Sequence, residues 1–230
     1  MKKKIKFILN LLYDNPGYLF TLVINKISNF FDEIIFFSSG LKKIIDFNYK
    51  YWNYNKPISN KYILIDSIQS SEIIIPYIYF SNVLAKKFNA KIFSFSEKSK
   101  QNNPKLRQSF NCNGHIFIKL TNSLDISKKK LIFENLKKNI KNKKDVFEIK
   151  INNVDCGIDI YETYLRKGNP TVKINDPLLW DIIDRAIEIC IFWSSFFDKN
   201  EVAAVLPSHD VYIDYNIIIK IAYNKNIPVY

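Results

Sequence analysis

Two short apolar runs that flank a longer amphipathic stretch constrain the fold of this chain more than any other feature. The first run, YILID, leads into a polar cluster, and the second is AKIFSFS. Between them, EIIIPYIYFSNVLAKKF has the length and the apolar spacing of a helix. A strand, a helix and a strand within about 35 residues is the spacing of a βαβ unit with a right-handed crossover. The chain is therefore predicted to contain a parallel sheet covered by helices.

The rest of the chain continues this alternation. Further strands are predicted at HIFIKL, DVFEIKINNV, EVAAVLPS and IPVY. Further helices are predicted at KKKLIFENLKKNIKNKK, GIDIYETYLRKG, LLWDIIDRAIEICIFWSSFF and VYIDYNIIIKIAYNKN. Asp176 and Pro177 precede the third of these helices, and Asp is a good helix cap while Pro suits the first helical position. The polar segment from Ser99 to Asn113 is predicted to be a loop with one or two helical turns.

The start of the chain differs from the rest. Residues 1–56 are predicted to be helices with broad apolar faces, and residues 57–230 a Rossmann-like domain. The fold class is α/β, with a Rossmann-like, mostly parallel open sheet and a helical N-terminal extension. Asp14, Asn15 and Pro16 interrupt the apolar run after the basic start, so a signal peptide is not expected. The apolar runs of this region also fall short of the ~20 residues that a spanning helix needs.

The cysteines and the motif search exclude several kinds of site. Cys112, Cys156 and Cys190 are odd in number and lack CxxC spacing, which argues against a disulfide framework or a zinc site and for a reducing cytoplasm. The chain contains no GxGxxG, GxxxxGK[ST], GxSxG, HExxH or DxD motif. Neither a metal ion nor a bound cofactor is therefore predicted.

Positive charge is concentrated in one segment. Residues 98–150 contain 14 Lys and Arg against 4 Asp and Glu, whereas residues 151–230 contain 7 against 11. Such a segment favours an anionic membrane surface, a lipid phosphate or nucleic acid, unless it is only a solvated helix face. In KKKLIFENLKKNIKNKK, Leu131, Ile132, Leu136 and Ile140 recur at helical spacing while lysines fill the other side. Nucleic acid is not expected as a partner, because no RNP-like, zinc-finger or helix-turn-helix signature is present.

A group of polar side chains follows the predicted strand at EVAAVL. Ser208, His209 and Asp210 come directly after it, and Tyr212 begins the next helix. Ligands of doubly wound folds bind beyond the carboxyl ends of the strands, so these side chains are predicted to line a crevice. Histidine there is suited to general acid or base catalysis. The alternative is that Ser208 or Asp210 caps the helix and His209 only bonds to the backbone. His115 is predicted to be a surface or strand-end residue.

A second candidate lies in GIDIYETYLRKGNPTVKINDPLLW. Glu162 and Arg166 are four residues apart, which allows a surface ion pair on a helix. Alternatively, Arg166 binds a phosphate or a carboxylate through its planar guanidinium. Both readings stay open on the residues alone.

Together these two segments resemble the bacterial capsule and surface-polysaccharide biosynthesis proteins of glycosyltransferase type. Those proteins carry a YDTYLR…T segment and a later SH.VY…G…R.A segment ahead of an IPV strand. The motif positions that this chain matches are Tyr161, Tyr164, Arg166, Thr171, Ser208, His209 and Tyr212. It departs from the motifs at Glu162, where Asp is expected, and at Asn216, where Gly is common. The resemblance covers residues 150–230 well and residues 61–97 loosely.

The resemblance implies a GT-B-like enzyme that works without a metal ion and has two Rossmann-like domains. This chain would be the acceptor-binding half, with the nucleotide-sugar donor held by a C-terminal domain that is absent here or by a partner chain. His209 and Asp210 would be catalytic, and the substrate-binding residues would be Tyr161, Tyr164, Arg166, Thr171, Ser208 and Tyr212. The acceptor would be a glycan or a lipid-linked sugar of capsule, O-antigen or lipopolysaccharide synthesis, at the inner face of the cytoplasmic membrane. The alternative is a non-catalytic binding or assembly module in the same pathway.

Overall fold

The computed structural model describes residues 42–51, 59–66, 71–96 and 104–230 of the chain. The strands are β1 (Tyr62–Asp66), β2 (Lys91–Ser96), β3 (Cys112–Phe117), β4 (Lys150–Ile151), β5 (Val154–Asp155) and β6 (Val202–Leu206). The helices are α1 (Lys42–Tyr51), α2 (Ser71–Phe88), α3 (Pro104–Ser109), α4 (Ser123–Asn139), α5 (Lys143–Phe147), α6 (Gly157–Leu165), α7 (Pro177–Lys199) and α8 (Tyr212–Asn224). The chain divides into two compact units, Met1–Asn53 and Tyr54–Tyr230. The helices predicted before residue 42 lie outside the described residues, and the predicted boundary after residue 56 stays a prediction.

Four strands form one parallel sheet in the order β3-β2-β1-β6. A single parallel bridge joins Val205 of β6 to Val229, where the sequence predicts a further strand. Two backbone hydrogen bonds support this bridge, from Val205 N to the Pro228 carbonyl and from Tyr230 N to the Val205 carbonyl. The predicted α/β class with a parallel, Rossmann-like sheet is therefore confirmed in its coarse form.

The two faces of the sheet are covered by different helices. Side chains alternate across a strand, so Leu64 of β1 faces one layer while Ile63 and Ile65 face the other. Leu64 belongs to the main core, which also contains the buried side chains of α7 and α8. Ile63 and Ile65 are buried on the opposite face, and α2 packs against β1, β2 and β6. The connection from β1 to β2 thus covers one face of the sheet, and the connection from β3 to β6 covers the other. The strand order reverses between β1 and β6, which is the topological switch point of a doubly wound sheet.

The longest helix of the described residues, α7, forms the centre of the core. Asp176 caps its N-terminus by accepting a hydrogen bond from Leu178 N, and Pro177 occupies its first turn, as the sequence predicts. Trp193 of α7 is fully buried and packs edge-on against Phe95 of β2, with 5.0 Å between the ring centroids. α7 therefore positions the sheet whose carboxyl edge carries the candidate site.

The prediction of a strand at DVFEIKINNV is wrong for its first half, which begins inside helix α5. Asn142 and Asp145 form a capping box around the start of this helix. Asp145 Oδ2 accepts from the backbone N of Asn142 at 3.0 Å, and Asn142 Oδ1 accepts from Asp145 N at 3.3 Å. Reciprocal capping satisfies backbone donors that a helix start leaves unpaired, which favours a helical turn over the apolar alternation of the sequence.

The second half of that segment is a hairpin instead of one long strand. β4 and β5 are antiparallel, and Asn152 and Asn153 between them have φ of 50° and 65°. A two-residue hairpin loop of the I′ type requires positive φ at both central residues, which Asn tolerates better than most side chains. Strand β3 also begins three residues before the predicted HIFIKL, because Asn113 Oδ1 accepts a hydrogen bond from Ile92 N at the start of the pairing.

The lysine-rich segment forms a helix, α4, that packs against α7. Phe133 contacts Trp180 at 6.0 Å between ring centroids, and Lys129 Nζ lies 2.7 Å from the Asp184 carboxylate. Leu131 was expected on the packed side, but it is 71% exposed. It lies two positions from Phe133, about 200° around the helix, and therefore points away from α7. In the described part of the chain, no helix combines the length and the apolar character needed to cross a membrane.

Candidate functional site

The predicted polar group lies in the loop between β6 and α8. This loop leaves the carboxyl end of β6 next to the carboxyl end of β1, at the switch point of the sheet. Ser208 is half-buried, whereas His209 and Asp210 are exposed to solvent. The structure therefore places both residues of the predicted catalytic pair at the edge where doubly wound sheets bind ligands.

Asp66, the last residue of β1, binds this loop and was not predicted as a site residue. Its Oδ2 accepts hydrogen bonds from the backbone N of Ser208, at 2.6 Å, and from the Ser208 hydroxyl. The residue is only 3% exposed. Burial raises the pKa of the Asp66 carboxyl above its ordinary value, and the hydrogen bonds from Ser208 oppose that rise. The sequence does show a polar residue, Asp66, at the end of an apolar strand, and this pattern could have marked it as a candidate site residue. Only the strand order shows that Asp66 meets Ser208.

The same serine hydroxyl contacts His209. Ser208 Oγ lies 2.7 Å from His209 Nδ1. A hydroxyl has one proton, and when Ser208 donates it to an ionised Asp66, Ser208 Oγ accepts from a protonated Nδ1 of His209. A neutral imidazole with its proton on Nδ1 has its lone pair on Nε2. The chain of Asp66, Ser208 and His209 thus orients the ring with Nε2 as a hydrogen-bond acceptor. Tyr215 packs against the ring, with 5.1 Å between centroids.

Arg166 and Tyr212 are brought together next to this loop. The Arg166 guanidinium carbon lies 4.6 Å from the centroid of the Tyr212 ring, the geometry of a cation–π contact. Tyr212 begins α8 with φ of 67°, which is unusual for a bulky side chain and stores backbone strain. The surface ion pair with Glu162, one of the two alternatives for Arg166, is not among the ion pairs of the described residues. Arg166 is exposed and has donors available for a negatively charged ligand.

Side chains of helix α6 hold the start of α8 through hydrogen bonds. The Thr163 hydroxyl accepts a hydrogen bond from Ile213 N at 3.1 Å, satisfying a backbone donor of the first turn of α8. Asp159 is fully buried and accepts from Asn216 Nδ2 at 2.7 Å and from Lys220 Nζ at 2.6 Å. Asn216, where the resembling family has glycine, thus has a structural partner in this chain. These bonds position the loop that carries His209.

Three of the predicted substrate-binding residues lie elsewhere. Tyr164 is buried, and its hydroxyl donates to Asp176 Oδ2 at 2.5 Å, which ties α6 to the cap of α7. Tyr161 is half-buried beside α5, where Lys143 Nζ donates to its hydroxyl at 3.2 Å. Thr171 is exposed in the loop between α6 and α7. The described contacts of Tyr161 and Tyr164 lead to other elements than the His209 loop, so their substrate-binding role stays a prediction.

An open cleft of about 570 Å³ lies beside the loop. Its lining residues come from the loop, from α8 and from the segment that pairs with β6: Pro207, Ser208, His209, Asp210, Asn216, Ile219, Tyr223, Val229 and Tyr230. The cleft is widely open to solvent and combines the polar loop with apolar and aromatic side chains. Among the described residues, no group of three His, Cys, Asp or Glu side chains is arranged to hold a metal ion.

The other histidine lies in the middle of β3. His115 Nδ1 is 2.7 Å from Ser94 Oγ, and its Nε2 is 2.9 Å from Ser96 Oγ. Burial, and then the positive charge of Arg107, lower the pKa of His115 to about 4. The ring is therefore neutral near pH 7 and has both nitrogens in hydrogen bonds. It is half-buried and not the strand-end surface residue that the sequence predicts.

Comparison of the chain with protein-family models, curated proteins and solved structures gives no match.

Proposed function

We propose that this chain is the acceptor-binding part of a nucleotide-sugar-dependent glycosyltransferase. One observation carries the proposal: Asp66, Ser208 and His209 form a hydrogen-bonded chain at the switch point of a Rossmann-like sheet. These hydrogen bonds leave the Nε2 lone pair of the exposed His209 side chain beside an open cleft. A general base of this kind is what a sugar acceptor needs, because a hydroxyl becomes a better nucleophile as it loses its proton.

In the proposed reaction, the acceptor hydroxyl lies within hydrogen-bond reach of His209 Nε2. The proton passes to Nε2 while the acceptor oxygen forms a bond to the anomeric carbon of the donor sugar. The bond between that carbon and the nucleoside diphosphate breaks, and the diphosphate leaves with the electron pair. Asp66 stabilises the imidazolium through Ser208, much as a buried carboxylate supports a catalytic histidine in other enzymes. Exposed Arg166 is available to the negative charge of an acceptor or a leaving group.

The biological setting follows from the motif resemblance alone. The residues that carry it at the site are Ser208, His209, Tyr212 and Arg166, and the structure brings these four to one end of α8. We therefore assign the acceptor to bacterial surface-polysaccharide synthesis, as a glycan or a lipid-linked sugar of capsule, O-antigen or lipopolysaccharide. The donor would be held by a second domain or a partner chain.

Transfer of labelled sugar by the full chain, together with a candidate donor-side partner, tests the proposal. His209→Ala is expected to lower the transfer rate by about 100-fold or more, the usual size of a general-base contribution. Its thermal unfolding should be unchanged, because the side chain is exposed. Ile126→Ala is the control, since Ile126 is exposed on α4, does not line the cleft and should change the rate by no more than about twofold.

Two results would contradict this function. Equal transfer by His209→Ala and by the unaltered protein would remove His209 from the chemistry and leave Asp210 as the only predicted base. Saturable acceptor binding without any transfer, in the presence of every partner, would make the chain a non-catalytic binding module, since a Rossmann-like fold does not require an activity.

A further inference from the structure

Helix α4 has an unpartnered outward face that combines leucines with lysines. Leu124 is 76% exposed and Leu131 is 71% exposed. They are seven residues apart, so they lie on the same side of the helix, two turns from each other. Exposed lysines adjoin these leucines, and together they form a surface called here the leucine–lysine face: Lys128, Lys130 and Lys138. Large aliphatic side chains with this exposure add little to the packing of the fold and are accessible to another surface.

The other side of α4 packs against α7. Phe133 packs on Trp180, and Lys129 bridges Asp184 and Glu188 at 2.7 and 3.6 Å. These contacts hold the helix against α7, so the leucine–lysine face is presented to the surroundings in one orientation. A surface helix held in this way does not need to rearrange before it binds a flat partner.

Charge points to an anionic partner. Residues 123–144 contain eight lysines and two acidic residues. Lys129 is committed to α7, and the lysines of the leucine–lysine face are exposed. Basic side chains near an anionic bilayer are each attracted to its surface, and the attraction adds along the helix and weakens with salt.

The side-chain types select among anionic partners. Single-stranded nucleic acid is bound through aromatic platforms on which bases stack, and this face presents leucines instead. The buried cores of protein interfaces are depleted in lysine. Aliphatic side chains flanked by lysines on one helix face are typical of helices that lie in the interface of a bilayer. We propose that the leucine–lysine face of α4 docks on a membrane surface that contains anionic phospholipids, with the leucines at the acyl boundary and the lysines at the headgroups.

Vesicle co-sedimentation of the full chain tests this proposal. The vesicles are phosphatidylcholine alone, or phosphatidylcholine with roughly a third phosphatidylglycerol, each at about 0.05 and 0.5 M salt. Binding to the anionic vesicles at low salt should exceed binding to the neutral ones by about tenfold and fall by about tenfold at high salt. The assay contains no sugar donor or acceptor, so its outcome is independent of the proposed transfer.

Paired variants identify the face. Leu124→Ser with Leu131→Ser, and separately Lys130→Glu with Lys138→Glu, should each lower binding to anionic vesicles by about tenfold. Ile158→Ser is the matched control: Ile158 is 57% exposed but lies in the acidic part of the chain, and binding should stay within about twofold. All variants should keep the thermal unfolding of the unaltered protein, because the replaced side chains are exposed.

Several outcomes would overturn the proposal. One is equal binding to neutral and anionic vesicles, and another is no binding to either. Unchanged binding by the leucine pair would show that lysines alone attract the lipid and that this face does not dock. Retention on single-stranded RNA that the lysine pair abolishes, without vesicle binding, would assign the face to nucleic acid.

Discussion

The two histidines of this chain occupy comparable polar settings but differ in what their rings offer. His209 is exposed in a loop, and Ser208 Oγ contacts its Nδ1. His115 is half-buried in a strand, and serine hydroxyls contact both of its ring nitrogens. A ring with both nitrogens in hydrogen bonds stabilises a fold, whereas a ring held at one nitrogen can move a proton at the other. The number of ring nitrogens already bound, more than the presence of a polar neighbourhood, therefore separates a candidate base from a structural residue.

The largest expected effect is on the rate of sugar transfer, when the serine that contacts Nδ1 of each histidine is replaced. Ser208→Ala removes the acceptor that keeps the His209 proton on Nδ1, so the rate of sugar transfer should fall by about 10- to 100-fold. Ser94→Ala removes the equivalent partner of His115 and should leave the rate within about twofold. Labelled-sugar transfer by both variants, with KM and kcat separated, is the measurement. An equal loss of rate in both variants would show that the two sites are not distinct in function.

The next largest effect is a loss of free energy of unfolding when His115 is replaced. His115→Phe keeps an aromatic ring of similar size but removes the hydrogen bonds that the ring nitrogens make with the hydroxyls of Ser94 and Ser96. Losing these two hydrogen bonds should lower the free energy of unfolding by about 1–3 kcal/mol. Urea denaturation followed by tryptophan fluorescence measures it. His209→Phe, at the exposed position, should change the free energy of unfolding by less than about 0.5 kcal/mol; a larger loss there than at His115 would reverse the comparison.

The smallest effect is a pH dependence that belongs to His115. Its folded pKa is about 4, below the ordinary value of 6.5, so the unfolded chain binds the proton more tightly than the folded protein does. The stability from this residue is therefore present above about pH 6.5 and lost as the pH falls toward 4. Because the ring is half-exposed, we expect a loss of only about 1 kcal/mol.

Denaturation between pH 7 and pH 4 checks this, with His115→Gln as the comparison. The difference in stability between the unaltered protein and His115→Gln should shrink as the pH is lowered. A constant difference over that range would mean that the folded and unfolded states bind the His115 proton equally.

The regular elements could be predicted from the sequence because local patterns govern them. YILID, AKIFSFS and EVAAVLPS are strands, and the Asp176-Pro177 start of α7 is present as predicted. The errors occur where local side-chain chemistry competes with the apolar pattern. Capping by Asn142 and Asp145 makes a helix where alternation predicts a strand, and positive φ at Asn152 and Asn153 makes a hairpin.

The candidate site could be predicted only in part. The loop after β6 was identified because polar residues follow a buried strand directly in the sequence. Asp66 was missed, although it binds Ser208, because the two residues are 142 positions apart and meet only when β1 and β6 pair. Tyr164 and Arg166 illustrate the converse: they are two residues apart, yet Tyr164 is buried on Asp176 while Arg166 lies on the Tyr212 ring. Helical geometry turns neighbours in sequence toward different surroundings.

The sequence by itself determined which segments become strands and helices of a parallel α/β sheet, since apolar periodicity and capping act over a few residues. Only the tertiary structure decided which polar groups meet. Strand order brings Asp66 to Ser208, ring contacts separate His209 from His115, and packing on α7 turns Leu131 outward. These outcomes depend on pairing and packing between segments far apart in the chain, which no local pattern encodes.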